Sequence, residues 1–244
     1  MSGHNKWSGI KHRKEAQDSK RSKIFSRLAK AIIISVQSGG NDIEKNSTLK
    51  IAIEQAKKAN MPKDNINRAI KRGLGQSGEG KIEEVFYEAY FPTNTDEMIA
   101  MMILCATDNI NRTVSEIKSL LKKNSGKFVP NGSVSFQFEE VGQFILETEK
   151  SDNFDFIELA IIEAGAKDLE KVSEKEILVI TEKINVQKVY KKLEKDGFQV
   201  KDLKINYISK QPIIIDKETK MEYNKLFEII DSQDDVQEIF DNVE

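Results

Sequence analysis

The 244-residue sequence predicts an α+β protein: a basic three-helix N-terminal domain followed by two α/β sandwich domains, the third inserted in the second. Three observations predict it. Apolar residues recur at helical spacing as far as Arg72, and from about Glu84 onward strand-like runs alternate with helical ones. The glycine-rich residues 73–80 separate the two regimes. Charge divides at the same place: residues 1–75 carry 17 Lys/Arg and 6 Asp/Glu, a net of +11, and the other 169 carry 21 and 34, a net of −13. The near-neutral total conceals a basic module on an acidic body, and positive charge segregated in this way points to a polyanionic partner.

Within the basic module, Ile24, Leu28, Ala31, Ile32 and Ser35 fall on one arc of a helix over residues 19–39. Lys20, Lys23, Arg27 and Lys30 fall on the opposite arc as a cationic stripe. Gly39-Gly40-Asn41-Asp42 ends this helix, and a second follows over residues 47–59 with Leu49, Ala52, Ile53 and Ala56 inward. Pro62 opens a third over 62–72, because a missing N–H costs little in a first turn. That helix turns Ile66, Ala69 and Ile70 inward, leaves Lys63, Arg68, Lys71 and Arg72 outside, and is closed by Gly73. Residues 73–80 also match G-x-G-x-x-G. The dinucleotide fingerprint needs a strand before it and a helix after it, and here the order is reversed, so the segment reads as a linker.

Beyond the linker, Val85, Tyr87, Ala89 and Phe91 alternate as a strand. Residues 98–107 form a nearly continuous apolar strand holding the single cysteine, Cys105, which reads as a core hydrophobe. Residues 111–123 form a helix with Val114, Ile117, Leu120 and Leu121 on one face. Residues 134–138 and 143–147 are expected to form a hairpin about a turn at 139–142. A helix at 154–164, strands at 168–172 and 177–181, a helix at 186–195 and a strand at 199–207 complete a sandwich of two helices over a mainly antiparallel sheet. The tail holds a helix at 217–230 and a strand at 236–240. A lone strand is unstable, so this one is assigned to the sheet of the first α/β domain. The expected domains are therefore 1–75, 81–133 with 207–244, and the insertion 134–206.

The composition nominates no catalytic, metal or cofactor site. His4 and His12 lie in the basic arm without Cys, Asp or Glu at metal spacing, and no strand-Ser-helix elbow is present. Imidazoles among cations suit stacking or hydrogen bonding to a nucleotide. No apolar run has the length of a membrane span and none follows the basic amino terminus, so neither a membrane partner nor a secretory peptide is expected, and the protein is placed in the cytoplasm. Asp108-Asn109-Ile110-Asn111-Arg112-Thr113 sits where a strand gives way to a helix, so capping explains its residue types; Arg112 is the candidate anion contact there. Residues 221–244 hold eight Asp/Glu against Lys225. They are either a solubilising face or a competitor with nucleic acid for the basic module.

The segments Gly3-His4-Asn5-Lys6-Trp7, Ile10-Lys11-His12-Arg13-Lys14, Asp18, Lys20-Arg21 and Lys23-Ile24-Phe25 resemble the YebC/PmpR family. So do Asn60-Met61-Pro62-Lys63-Asp64-Asn65-Ile66, Arg68-Ala69-Ile70-Lys71, Tyr87-Glu88, Tyr90, Asp108-Asn109, Asn111-Arg112-Thr113 and Gly132-Ser133-Val134, which extends the similarity over essentially the whole chain. The resemblance implies a non-enzymatic regulator of gene expression without cofactor or small-molecule substrate. Its partner would be DNA, as in a transcriptional regulator, or ribosomal RNA and tRNA, as in a translation factor. Carried onto this chain, the nucleic-acid surface would comprise Lys6, Trp7, Lys11, His12, Arg13, Lys14, Lys20, Arg21, Lys23 and Arg27, with Lys63, Arg68 and Lys71 as a second patch. The chain departs from the family pattern after Tyr90, where Phe91-Pro92-Thr93-Asn94-Thr95-Asp96 replaces a glycine-rich turn, and at Ile43 and Ser47, where prolines are common.

Overall fold

The computed structural model describes residues 21–148 and 154–244, with the backbone alone for Arg21 and Ser22. Among the described residues it contains seven α-helices and two four-stranded antiparallel sheets. Helices α1 (Arg21–Gly39), α2 (Ser47–Lys58) and α3 (Lys63–Gly73) form the N-terminal bundle. Ile32, Ile33, Val36, Leu49, Ala56 and Ile66 fill its centre, and burial of each of the larger side chains among them stabilises the bundle by about 1.5–3 kcal/mol. Asn46 sets the entry to α2: its carbonyl oxygen accepts from the Leu49 amide at 3.0 Å, and its amide donates to the Ser35 and Gly40 carbonyls at 2.8 Å each.

Gly73 closes α3 as expected and also serves its packing. It is the last residue of α3, and a Cβ there would lie 2.7 Å from Val36 Cβ, so the missing side chain lets α3 close onto α1.

The first sheet has the order β3-β1-β2-β8, from β1 (Glu83–Pro92), β2 (Met98–Thr107), β3 (Lys127–Val129) and β8 (Val236–Asp241). Tyr87 pairs with Ile103 and Phe91 with Ile99, which puts the alternating apolar set of β1 on one face with its partners in β2. Ile117 and Leu121 of α4 (Ile110–Lys123) and Tyr223, Leu226 and Ile230 of α7 (Lys217–Asp231) cover that face. The opposite face, with Phe86, Tyr90 and Met102, packs against Phe138 and Tyr207 of the second sheet. Both faces of β2 are covered, so its sequence is apolar almost throughout. The last strand joins this sheet beside β2, with Met102 opposite Phe240.

The second sheet has the order β5-β6-β4-β7, from β4 (Phe138–Glu147), β5 (Asp168–Ser173), β6 (Glu176–Glu182) and β7 (Gln199–Ser209). Helices α5 (Phe154–Ala164) and α6 (Val186–Lys195) cover one face through Ile157, Ile161, Val189 and Leu193. Sequence position places this split β-α-β unit between α4 and α7 of the first sandwich, so the third domain is inserted in the second.

The expected hairpin at 134–147 is corrected. Residues Phe138–Glu147 are one uninterrupted strand, preceded by the 3₁₀ turn Ser135–Gln137. Gly142, read as a turn residue, pairs with Thr181 and Ile205, and a Cβ there would lie 2.2 Å from Val186 Cγ2. The glycine admits the start of α6 against the sheet. The three-residue β3 is too short to carry a periodic signal, and sequence reasoning missed it.

Candidate nucleic-acid interface

Lys6, Trp7, Lys11, His12, Arg13, Lys14 and Lys20 lie outside the described residues, and of Arg21 the structure describes the backbone at the start of α1. The remaining nominated cations divide into two sets.

The first set lies on α1, where each cation meets a carboxylate. Arg27 donates to the Asp231 carboxylate at 2.6 Å, to the Asp231 carbonyl at 3.0 Å and to the Val236 carbonyl at 3.1 Å. Lys23 reaches the same carboxylate at 3.4 Å. Lys30, one turn on, meets the Asp235 carboxylate and the Asp234 carbonyl, both at 2.9 Å. The side chains of Lys23, Arg27 and Lys30 keep between 14% and 16% of their exposure, so they are not a free phosphate-binding face in this conformation. Burial, and then the neighbouring Arg27, push the Lys23 ammonium below its usual range despite Asp231. The partner carboxylates lie more than 200 residues away in sequence, beyond the reach of any local pattern.

Asp235 is the centre of this contact. Besides Lys30, it accepts from Thr113 Oγ1 at 2.7 Å, Arg112 Nη2 at 3.1 Å and Thr107 Oγ1 at 3.2 Å. Burial alone would raise its carboxyl, but the donors on Lys30, Thr113 and Arg112 outweigh it and hold the group well below the usual carboxylate range. Arg112, the expected anion contact, is occupied by Asp235 and, at 3.3 Å, by Asp108. Asn109 caps α4, accepting from the Arg112 amide at 3.0 Å. Cys105 is fully buried nearby, and desolvation pushes its thiol up to about 12.

The second set lies at the tip formed by the end of α2 and by α3. Lys63, Arg68 and Lys71 are exposed, and no carboxylate among the described residues forms an ion pair with them. Lys57 and Lys58, in the last turn of α2, are exposed beside them and were not nominated from the sequence. Their position at the end of the helix leading into Asn60 and Pro62 was the available signal. The turn between the helices is fixed by Asn60 at φ 59° and by Met61, which is buried in the bundle core. Ile66 and Ala69 point inward, so Asn67 and Arg68 face out on α3. Arg72 differs from its expected outward position: it pairs with Glu79 at 2.9 Å and Asp108 at 3.3 Å, tying the linker to the first sandwich.

The opposite side of α2 is fastened to the inserted domain. Ser47 bonds Gln187 at 2.9 Å, Lys50 pairs with Glu194 at 2.8 Å, and Ile51 joins the core beneath α6. The bundle is thus held by α1 on one sandwich and by α2 on the other, with the α2–α3 tip projecting. The arrangement can offer five exposed cations to an anionic partner and, among the described residues, brings together no three His, Cys, Asp or Glu side chains that could hold a metal.

Residues 5–76 match the TACO1/YebC protein N-terminal domain, and residues 82–243 match the TACO1/YebC second and third domain. A "probable transcriptional regulatory protein" of Caldanaerobacter subterraneus subsp. tengcongensis is 41% identical over 244 residues, covering 100% of this chain and 98% of its own. One of Thermotoga maritima is 40% identical over 244 residues, covering 100% of this chain and 94% of its own. The crystal structure of a conserved hypothetical protein from Aquifex aeolicus superimposes with a TM-score of 0.80 at 37% identity, covering 93% of this chain and 91% of that one. With both halves of the chain matched and the architecture shared, this protein belongs to the TACO1/YebC family.

Proposed function

We propose that this protein is a non-enzymatic, nucleic-acid-binding regulator of gene expression, with DNA as its partner in transcriptional control. The observation that carries the reading is the α2–α3 tip, where Lys57, Lys58, Lys63, Arg68 and Lys71 stand exposed without acidic partners among the described residues. Most other cations of the bundle are paired: Lys23, Arg27, Lys30, Lys45, Lys50 and Arg72 each meet a carboxylate. Five uncompensated cations within two short helices cost stability through mutual repulsion and gain it back from phosphates. The basic arm with Lys6, Trp7, Lys11, His12, Arg13, Lys14, Lys20 and Arg21 adds charge and one stacking face. The relatives' names agree with a role in transcription.

A second reading, a ribosome-associated translation factor contacting rRNA or tRNA, is favoured by the sparse base-reading chemistry of the tip. Its outward polar side chains on α3 besides lysine are Asp64, Asn67 and Arg68, and phosphate contacts serve DNA and RNA alike. In both readings the protein works in the cytoplasm.

Crosslinking in living cells, with the attached nucleic acid sequenced, tests the reading. Discrete promoter fragments, lost in the variant Lys63→Glu/Arg68→Glu/Lys71→Glu, are expected for DNA. Recovery of rRNA or tRNA segments instead would replace transcription by translation, and an equal yield from the variant would remove the tip from the interface.

A further inference from the structure

We infer that the cationic face of α1 and the acidic turn at residues 231–236 form a latch, and that a nucleic-acid backbone competes with the turn for α1. This rests on the nucleic-acid reading above and adds to it a closed state in which the protein occupies part of its own basic surface.

The turn has the chemistry of a phosphate backbone. Facing α1 it presents the carboxylates of Asp231 and Asp235 and the carbonyls of Asp231, Asp234 and Val236, all acceptors. It also begins at the C-terminal end of α7, whose last turn contains no basic residue, so the negative end of the helix dipole adds to the carboxylates. Its compensation in this respect comes from α1. The three cations are spaced 0, 4 and 7 along α1, which lines them up over about 10 Å on one side of the helix. Arginine and lysine donors at such a spacing do not distinguish carboxylate from phosphate oxygen.

The contact is built so that it can open. Its ion pairs keep up to 21% of their side-chain exposure, so water and salt reach them. Asp235 retains Thr107, Thr113 and Arg112 when Lys30 leaves, and is not left as an uncompensated buried charge. The hydrophobic core of the bundle lies mainly among its own three helices, with Ile82 and Ala106 joining it from the first sandwich and Ile51 of α2 entering the core of the inserted domain, so opening requires only that the side chains of Lys23, Arg27 and Lys30 leave the turn, with those cores in place. A binding-competent state that is partly latched lowers apparent affinity by the fraction that is open.

The test uses the full chain and a mixed-sequence duplex of about 30 base pairs, as DNA and as RNA, followed by fluorescence anisotropy in about 0.1 M salt. Asp231→Asn is expected to bind about threefold to tenfold more tightly than wild type, since it weakens the pairs with Lys23 and Arg27 and so shifts the closed state toward the open one. In the wild type, backbone hydrogen exchange at residues 231–236 is expected to rise when the duplex saturates the protein, a measurement that needs no variant. Equal or weaker binding by the variant, or unchanged exchange in a saturated wild type, would overturn the latch while leaving the nucleic-acid reading intact. Wild-type protein that binds neither duplex would overturn both, because nothing would then displace the turn. A tighter complex with one duplex identifies which backbone competes.

Discussion

Arg27 Nη2 lies 2.6 Å from Asp231 Oδ1, joining two residues 204 positions apart, and the same guanidinium also donates to the carbonyls of Asp231 and Val236. One side chain thereby ties the N-terminal bundle to the end of the last helix and the start of the last strand. A planar donor fork suits this task, because a lysine could not serve all three acceptors in one geometry. Arg27→Ala should therefore lower stability by about 1–2 kcal/mol and the melting temperature by about 2–6 °C, read by calorimetry. Arg27→Lys should recover less than half of that loss.

Asp235 leads to a pH prediction. Its folded carboxyl is held below the unfolded value, so its stabilisation is in full force above the unfolded pKa, about 4, and is lost as pH falls through the folded value. Asp235→Asn should cost about 2 kcal/mol at pH 7, and the gap between wild type and variant should narrow below about pH 3. Urea unfolding of both proteins across that range measures it; a gap that widens on acidification would contradict the assignment.

Gly142 should tolerate no side chain while Val186 stands in place. A Cβ 2.2 Å from Val186 Cγ2 and 2.9 Å from Thr181 Cγ2 forces the start of α6 away from the sheet. Gly142→Ala is expected to cost about 2–3 kcal/mol, and Gly142→Ala/Val186→Ala to cost less than the two single changes added together. Additive losses in chemical unfolding would show that the two positions do not compete for the same space.

Glu88 is 3% exposed, and its carboxylate accepts from the amides of Gly132 at 2.8 Å and Ser135 at 3.3 Å, with Val134 between them. Burial opposes its ionisation, and the backbone amides outweigh burial and hold its pKa down. Glu88→Gln turns one acceptor into a donor facing amides and should destabilise by about 1–3 kcal/mol. Hydrogen exchange of residues 132–135 should accelerate more than that of β1.

The α2–α3 tip supplies the last expectation. Each phosphate that a tip cation neutralises contributes about 0.9 to the slope of log affinity against log salt. Replacing Lys63, Arg68 and Lys71 by Ala should therefore flatten that slope by about 2–3 with little change in melting temperature, because these side chains are exposed and, among the described residues, form no ion pair. An unchanged slope would place the phosphates elsewhere.

Much of the fold was legible because its signals are local. Apolar residues spaced for helices at Leu49, Ala52, Ile53 and Ala56, and alternation at Val85, Tyr87, Ala89 and Phe91, bury as that spacing requires. The rule that a lone strand needs a partner led Val236–Asp241 to the first sheet. Legibility failed where a residue answered to a distant neighbour. Gly142 looks like a turn and is a strand residue shaped by Val186, and Gly73, which ends its helix as its type suggests, is also a contact with Val36 that no local pattern shows. Arg72 looks like a free cation and meets Glu79 and Asp108.

The sequence by itself determined the family, the order of helices and strands apart from β3 and the single strand Phe138–Glu147, and the segregation of charge into a basic module and an acidic body, since each is encoded in residue types and short-range periodicity. The tertiary structure decided which cations remain available. Lys23, Arg27 and Lys30 meet carboxylates that folding carries across more than 200 residues, whereas Lys63, Arg68 and Lys71 stand exposed where no carboxylate among the described residues forms an ion pair with them. The physical reason is that ion pairing depends on distances of a few ångströms between groups whose separation along the chain carries no information about those distances.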